Sequence, residues 1–190
     1  PEAAVRKARA VAAAIPQLSV IGIAGPGDPL ANPYRTFDTL EGLRIALPDV
    51  KLCVSTNGLA LPQAVDHLVE LGVDHVTITM NAIDAHISAG IYDWIYLDGQ
   101  RLSGKEGAQA LIDRQLKGKK KLVERGVLVK VNSVLIPGIN DAHEHLTIWP
   151  ADTVMVDTGS LNPEWDALRP AIVDAAGNVR PHYRAYADWL

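Results

Sequence analysis

At 190 residues, 48% of them apolar and 21% charged, the chain is long enough for one sizeable domain with its own core and too apolar to be disordered. A net charge of −4 with acids and bases interspersed leaves no electrostatic footprint for nucleic acid, and the one basic run, "KGKKK" from Lys117 to Lys121, reads as a solvated helix face. No apolar run approaches the roughly eighteen residues of a membrane span, so the cytoplasm is expected; a single cysteine, Cys53, excludes an internal disulfide and any multi-cysteine metal site built from this chain alone.

The opening "PEAAVRKARAVAAAIP" is periodic and amphipathic over Glu2 to Ala14, which predicts a helix rather than a signal peptide. With no initiator Met before it, the chain reads as a fragment. Strands are predicted at Leu18 to Ala24, Lys51 to Ser55, His75 to Met80 and Val127 to Leu135. They are short, β-branched and largely apolar, as in a parallel sheet covered by helices. Helices are predicted at Asp38 to Ala46 and Pro62 to Leu71, the second marked by Pro in its first turn and by Gly72 as its stop. A long helix is expected from Lys105 to Glu124, with Ala108, Leu111, Ile112, Leu116, Leu122 and Val123 as its apolar positions. Between Ile83 and Ser103 the pattern weakens, and its aromatics and "DGQ" turn predict an insertion packed on the sheet edge.

Strand and helix alternate, so right-handed crossovers and an α/β sheet of barrel or doubly wound type follow. In both architectures ligands gather at the carboxyl ends of the strands. Those ends read "GPGDP", "STNG", "NAID" and "NSVLIPGIND". Each is polar or Gly-rich, as a site needs if backbone N–H and C=O groups are to approach a flat polar ligand. Ordinary turns share that composition, but its recurrence after every strand favours a site.

Taken in order, "GIAGPGDPLAN", "KLCVSTNGL", "LGVDHVTITMNAID", "IYDWIYLDG", "RQLKGKKKL" and "GVLVKVNSVLIPGIND" resemble the radical S-adenosylmethionine (SAM) maturases of nitrogenase FeMo-cofactor biosynthesis, over about residues 1–146. The resemblance implies a partial (β/α) TIM-like barrel, truncated at both ends, that holds SAM beside a [4Fe-4S] cluster. It implies Gly25, Gly27 and Asp28 at the amino acid half of SAM, Ser55, Thr56 and Asn57 at the next strand end, and Asn81 at the third. Asn132, Ile136 and Gly138 would approach the carboxylate, ribose or adenine. The implied chemistry is reductive SAM cleavage, with a second SAM supplying the carbide as two [4Fe-4S] units fuse into an 8Fe core; SAM, iron-sulfur substrates and nitrogenase assembly proteins are the implied partners. Cys53 is a candidate iron ligand by the same resemblance, while a buried strand thiol acting as a small hydrophobe stays open beside it. No metal role is assigned to the histidines: His67 is expected on an exposed helix face, His75 at a strand start, and His86, His143 and His145 in loops.

The family's C-x3-C-x2-C loop is absent from the sequence, so an inactive enzyme piece is expected, with a non-catalytic SAM or nucleotide binding module as the alternative. From Thr147 the character changes: residues 147–190 hold no strand in the βα rhythm and pack three Trp and two Tyr into an irregular or helical tail. Residues 155–190 resemble the start of circularly permuted ATP-grasp proteins, through Asp174, Gly177, Arg180, Pro181, His182 and Tyr183. A fusion or frameshift near Thr147 accounts for the change.

Overall fold

The computed structural model describes residues 1–134, Ile136, residues 138–140 and Val154–Met155. In chain order its elements are α1 (Glu2–Ala14), β1 (Val20–Ile23), a 3-10 turn (Pro29–Ala31), α2 (Pro33–Ala46), β2 (Lys51–Thr56), α3 (Leu61–Glu70) and β3 (His75–Thr79). There follow α4 (Ala85–Ile91), β4 (Trp94–Leu97), β5 (Gln100–Ser103), α5 (Gly104–Glu124), β6 (Leu128–Asn132) and β7 (Val154–Met155). They divide between two compact units, Pro1–Thr79 with Asp113–Val129, and Met80–Ile112 with the residues from Lys130 on.

In the first unit β1, β2 and β3 are parallel neighbours, with Gly22 beside Cys53 and Cys53 beside His75. This is the mixed α/β architecture with a parallel sheet that a partial TIM-like fold requires. The side-chain period of two separates the faces. Leu52, Val54, Val76 and Ile78 are completely buried, while the opposite face carries Lys51, Cys53 and Ser55 on β2 and His75, Thr77 and Thr79 on β3. The strands are therefore not apolar on both faces, as their composition suggested; one face is core and the other is polar.

Helix α2 starts five residues earlier than expected. Pro33 fits the first turn, where a missing N–H costs nothing. Helix α5 meets α3 through Gly118, where a Cβ would lie 2.7 Å from Leu61 Cγ, so only glycine lets the two approach this closely. That contact rotates α5 relative to the expected stripe. Leu116 and Val123 are 40% and 48% exposed, and Gln115 is buried instead. The rotation also corrects the reading of Lys117 to Lys121 as a solvated face: Lys119 is buried, and the Lys121 ammonium donates to Pro62 O at 2.9 Å.

Arg44 of α2 and Asp74, just before β3, tie this unit together. Asp74 accepts from Leu52 N at 2.8 Å and from Arg44 Nη2 at 3.1 Å, while Arg44 Nη1 also donates to Pro48 O and Val50 O. Burial pushes the Asp74 carboxyl up, but the Leu52 amide and the bond and charge of Arg44, with Lys51 behind them, outweigh it and hold the carboxyl below its ordinary 3.8. A carboxyl depressed in the fold stabilises it above the unfolded value, and that stabilisation disappears as pH falls through the folded value. Acid titration of the chain, followed by circular dichroism in urea, is expected to show a loss of stability beginning near pH 3.8 and continuing below it. In Asp74→Asn that part of the acid loss is missing.

In the second unit the weakly patterned stretch after Ile83 resolves into α4 and the antiparallel hairpin β4–β5. Asp84 caps α4 by accepting from His86 N at 2.8 Å and Ile87 N at 3.2 Å. His86 therefore stands in a helix and not in a loop. Asp98 and Gly99 take positive φ at the hairpin turn, as a two-residue loop of the Asp-Gly kind requires. Ala85, Ala108 and Ile112 form the small core of this unit, with Ala89 packed against it. Lys130 and Val131 of β6 pair in parallel with Val154 and Met155. Residues 147–190 thus contribute the two-residue strand Val154–Met155 to the sheet. His143, His145 and the ATP-grasp-like positions lie outside the described residues.

Candidate functional site

The expected site residues fall into two groups, one in each unit. In the first, β1 ends at Ile23 and the chain turns through the exposed segment Gly25-Pro26-Gly27. Gly27 has φ +83°, and nothing lies within 4 Å of where its Cβ would be. The corner is therefore held in a conformation that side chains resist, with open space before its backbone. Asp28 holds it there. Its carboxylate accepts from Leu30 N at 2.8 Å, from the Thr56 hydroxyl at 2.9 and 3.0 Å, and from Asn57 N at 2.5 Å.

Those donors explain why an acid stands at this position. One bond caps the 3-10 turn, whose Leu30 is buried as an anchor, and the others fasten the corner after β1 to the end of β2. Thr56 passes the connection on, since its oxygen also accepts from Gly58 N at 3.1 Å. Asn57 is exposed; its side-chain oxygen accepts from Leu59 N at 2.8 Å in an Asx turn. Ser55 is half-buried on the polar face, beside Thr77. So the first unit brings Asp28, Thr56 and Asn57 into one hydrogen-bonded corner, flanked by the bare backbone of Gly25 and Gly27.

Cys53 lies elsewhere on β2 than its sequence context suggested. It is the third of six strand residues, mid-strand and three residues short of the carboxyl end at Thr56, and it is buried. Its thiol is 3.9 Å from the Thr77 hydroxyl, and Gly22 beside it on β1 has no side chain.

In the second unit Asn81 uses both ends of its amide. Nδ2 donates to the Tyr92 hydroxyl at 2.9 Å, and Oδ1 accepts from Val134 N at 3.0 Å. Burial raises the Tyr92 pKa against the lowering effect of its hydrogen bonds with Asn81. Asn132 O accepts from Met80 N at 2.9 Å at the end of β6. Ile136 N donates to Asn140 Oδ1 at 2.6 Å, and Gly138 is exposed with φ +75° and open space around its Cβ position.

Sequence reasoning missed Asn140 and Gln115. Asn140 is buried, and its amide donates to Asn81 O at 2.7 Å and Val134 O at 2.8 Å while accepting from Ile136 N, which ties Val134 and Ile136 to Asn81, just past the end of β3. Gln115 is buried on α5, and its Nε2 donates to Asn57 O at 2.7 Å and Thr79 O at 2.9 Å. A signal for it was present: Gln115 follows Leu111 by four residues and Ile112 by three, which is the position of an apolar residue in the stripe.

A parallel sheet of alternating strands and helices with a Gly-rich corner after its first strand places the chain among α/β proteins, the class whose ligands gather at the carboxyl ends of the strands. The family model of the Radical SAM superfamily matches residues 1–148, and the chain belongs to that superfamily. Among individual proteins, it is 66% identical over 142 residues to the FeMo cofactor biosynthesis protein NifB of Klebsiella pneumoniae, covering 75% of this chain and 30% of that protein. It is 59% identical over 143 residues to the NifB proteins of Bradyrhizobium diazoefficiens and Azotobacter vinelandii, covering 75% of this chain and 29% and 28% of theirs. The chain thus spans under a third of the length of these curated relatives.

Superfamily membership implies SAM and [4Fe-4S] clusters, and the residues present fit the two differently. The exposed corner at Gly25 and Gly27, with open space and a preset conformation at Gly27, suits a small polar ligand that hydrogen-bonds to backbone. The donor set does not suit an iron-sulfur cluster. Such clusters take several thiolates; the sequence has one cysteine, and among the described residues no three His, Cys, Asp or Glu side chains group so as to hold a metal ion. Among the described residues no helix is long and apolar enough to cross a membrane.

Proposed function

We propose that this chain is a SAM-binding part of an enzyme of FeMo-cofactor biosynthesis, a maturase that fuses [4Fe-4S] units, as substrate, into a carbide-containing 8Fe precursor. The observation that carries this reading is the 66% identity to the Klebsiella NifB protein, sustained over 142 residues. The geometry supports it at the corner after β1. The three donors to Asp28 fix the Gly25 to Gly27 backbone before any ligand arrives, so binding need not order it.

In this reading Gly25 and Gly27 offer backbone groups to the amino acid half of SAM, and Asp28 acts on the ligand by shaping those groups. Ser55 and Asn57 line the neighbouring strand end. Cys53 serves a substrate cluster as an iron ligand in the same reading. A lyase-like activity, the cytoplasm as compartment and nitrogenase assembly proteins as partners belong to the same proposal. Residues 147–190 are proposed as a separate module, a division supported by the superfamily match ending at residue 148.

The single cysteine favours a second reading, in which the chain binds SAM but carries no catalysis of its own. One experiment addresses both. Equilibrium dialysis with labelled SAM is run on the chain before and after anaerobic incubation with iron, sulfide and dithionite. SAM retention without iron uptake is the result expected of this chain and supports the binding module; iron uptake with release of deoxyadenosine supports the complete enzyme activity; absence of SAM retention in either condition removes both.

A further inference from the structure

Gln115 has a geometry that neither core packing nor ligand contact explains. It is 2% exposed, sits in the apolar stripe of α5, and places both hydrogens of its amide on backbone carbonyls at the carboxyl ends of two adjacent strands. Asn57 O is the first carbonyl beyond β2, and Thr79 O is the last of β3. Neighbouring parallel strands are spaced by their own ladder only as far as it runs. Beyond that point something else must set the distance between the ends, and here the Gln115 amide does so from behind.

The local sequence is shaped around this side chain. Gly58 has φ +83°, and a Cβ there would lie 2.8 Å from Gln115 Cγ and 3.1 Å from Ile78 Cγ2. The glycine therefore both makes the turn after β2 and leaves room for the glutamine stem. A carboxamide serves here where a leucine would not, because it supplies a donor to each of two part-buried carbonyls. The residue whose carbonyl Gln115 holds, Asn57, is also the residue whose N–H binds Asp28. A displacement at Gln115 is thus transmitted to the corner through one peptide unit on either side of Asn57 Cα.

We propose that Gln115 is a positioning residue for the cofactor: from the buried side of the sheet it sets the spacing of the β2 and β3 ends and, through Asn57, the conformation of the corner that receives SAM. This rests on the reading of that corner as a SAM site. The test compares Gln115→Met, which keeps the length and removes the donors, with Gln115→Asn, which keeps the amide but is one methylene too short to reach both carbonyls. Leu122→Val, a buried substitution on the same helix away from the strand ends, controls for general destabilisation.

Two measurements are made where circular dichroism shows each variant folded: the dissociation constant for labelled SAM, and the backbone amide shifts of Asn57, Gly58 and Thr79 in 15N-labelled protein. Gln115→Met is expected to weaken SAM binding by about tenfold or more and to move those three amides, while Leu122→Val does neither. Gln115→Asn lies between, and it answers alone if the Met variant does not fold. Unchanged amides at Asn57 and Gly58, or unchanged SAM affinity despite moved amides, overturns the proposal. If the native chain binds no SAM, the functional reading falls with the cofactor role of Gln115, and the amide shifts then decide whether the residue sets the strand ends at all.

Discussion

Asp28→Ala is expected to lower the stability of the chain by about 2–4 kcal/mol and to abolish measurable SAM binding, the first read from urea unfolding and the second from dialysis with labelled SAM. The magnitude follows from what the carboxylate holds. Its loss leaves Leu30 N, the Thr56 hydroxyl and Asn57 N without their acceptor. Hydrogen bonds to a charged acceptor contribute about 1.5–3 kcal/mol each. Asn57 N can turn to water; the Thr56 hydroxyl, on a residue 3% exposed, cannot. Loss of the helix-cap bond to Leu30 adds about 1 kcal/mol. The sum is bounded above because the corner can relax into solvent, and that same relaxation removes the preset conformation at Gly25 and Gly27. Asp28→Asn keeps one acceptor oxygen and is expected to lose about half as much stability. If Asp28→Ala unfolds at the native urea midpoint, the carboxylate is not the fastening described, and the corner must be held by Leu30 packing and by the Thr36 hydroxyl bond to Pro29 O.

Much of this was legible before the structure, and the part that was not has a physical cause. The parallel order of β1, β2 and β3 follows from alternating strand and helix periods, and their bounds shifted by one or two residues because strand ends lack a chemical marker such as a cap. The Gly-rich corner could be found because glycine and proline restrict backbone locally. What Asp28 does there could not, since its partners Thr56 and Asn57 are 28 and 29 residues away and only the sheet register brings them near. Asn140 was missed for a related reason, since its partner Asn81 is 59 residues away, whereas Gln115 stood at an apolar stripe position whose meaning shows only once its carbonyls on Asn57 and Thr79 are known. The hairpin β4–β5 was illegible in another way. Its exposed Trp94 stacks under Arg101 and its Tyr96 faces solvent, so the alternation that marks a half-buried strand is inverted there. Helix α5 shows how one small residue decides a register. With Gly118 against Leu61, the contact face turns away from Leu116 and Val123 despite their apolar character.

Two glycines with the same backbone angle separate shape from packing. Gly27 and Gly58 both have φ +83°, so alanine at either position meets the left-handed penalty of about 1–2 kcal/mol. At Gly27 nothing lies within 4 Å of the new methyl, and the cost ends there. At Gly58 the methyl would lie 2.8 Å from Gln115 Cγ and 3.1 Å from Ile78 Cγ2, both on buried side chains that have no free direction in which to move. Overpacking of that kind adds about 1–3 kcal/mol, so Gly58→Ala is expected to cost about 2–5 kcal/mol in urea unfolding and Gly27→Ala about 1–2 kcal/mol. SAM binding is expected to divide the pair in the opposite sense. Gly27→Ala puts a methyl into the open space before the corner and should reduce affinity by more than its small stability loss suggests. Gly58→Ala acts only through the strand ends, so its folded fraction should retain part of the affinity. Equal stability costs at the two positions would remove the packing argument, and a Gly27→Ala chain that binds SAM as the native chain does would move the cofactor away from this corner.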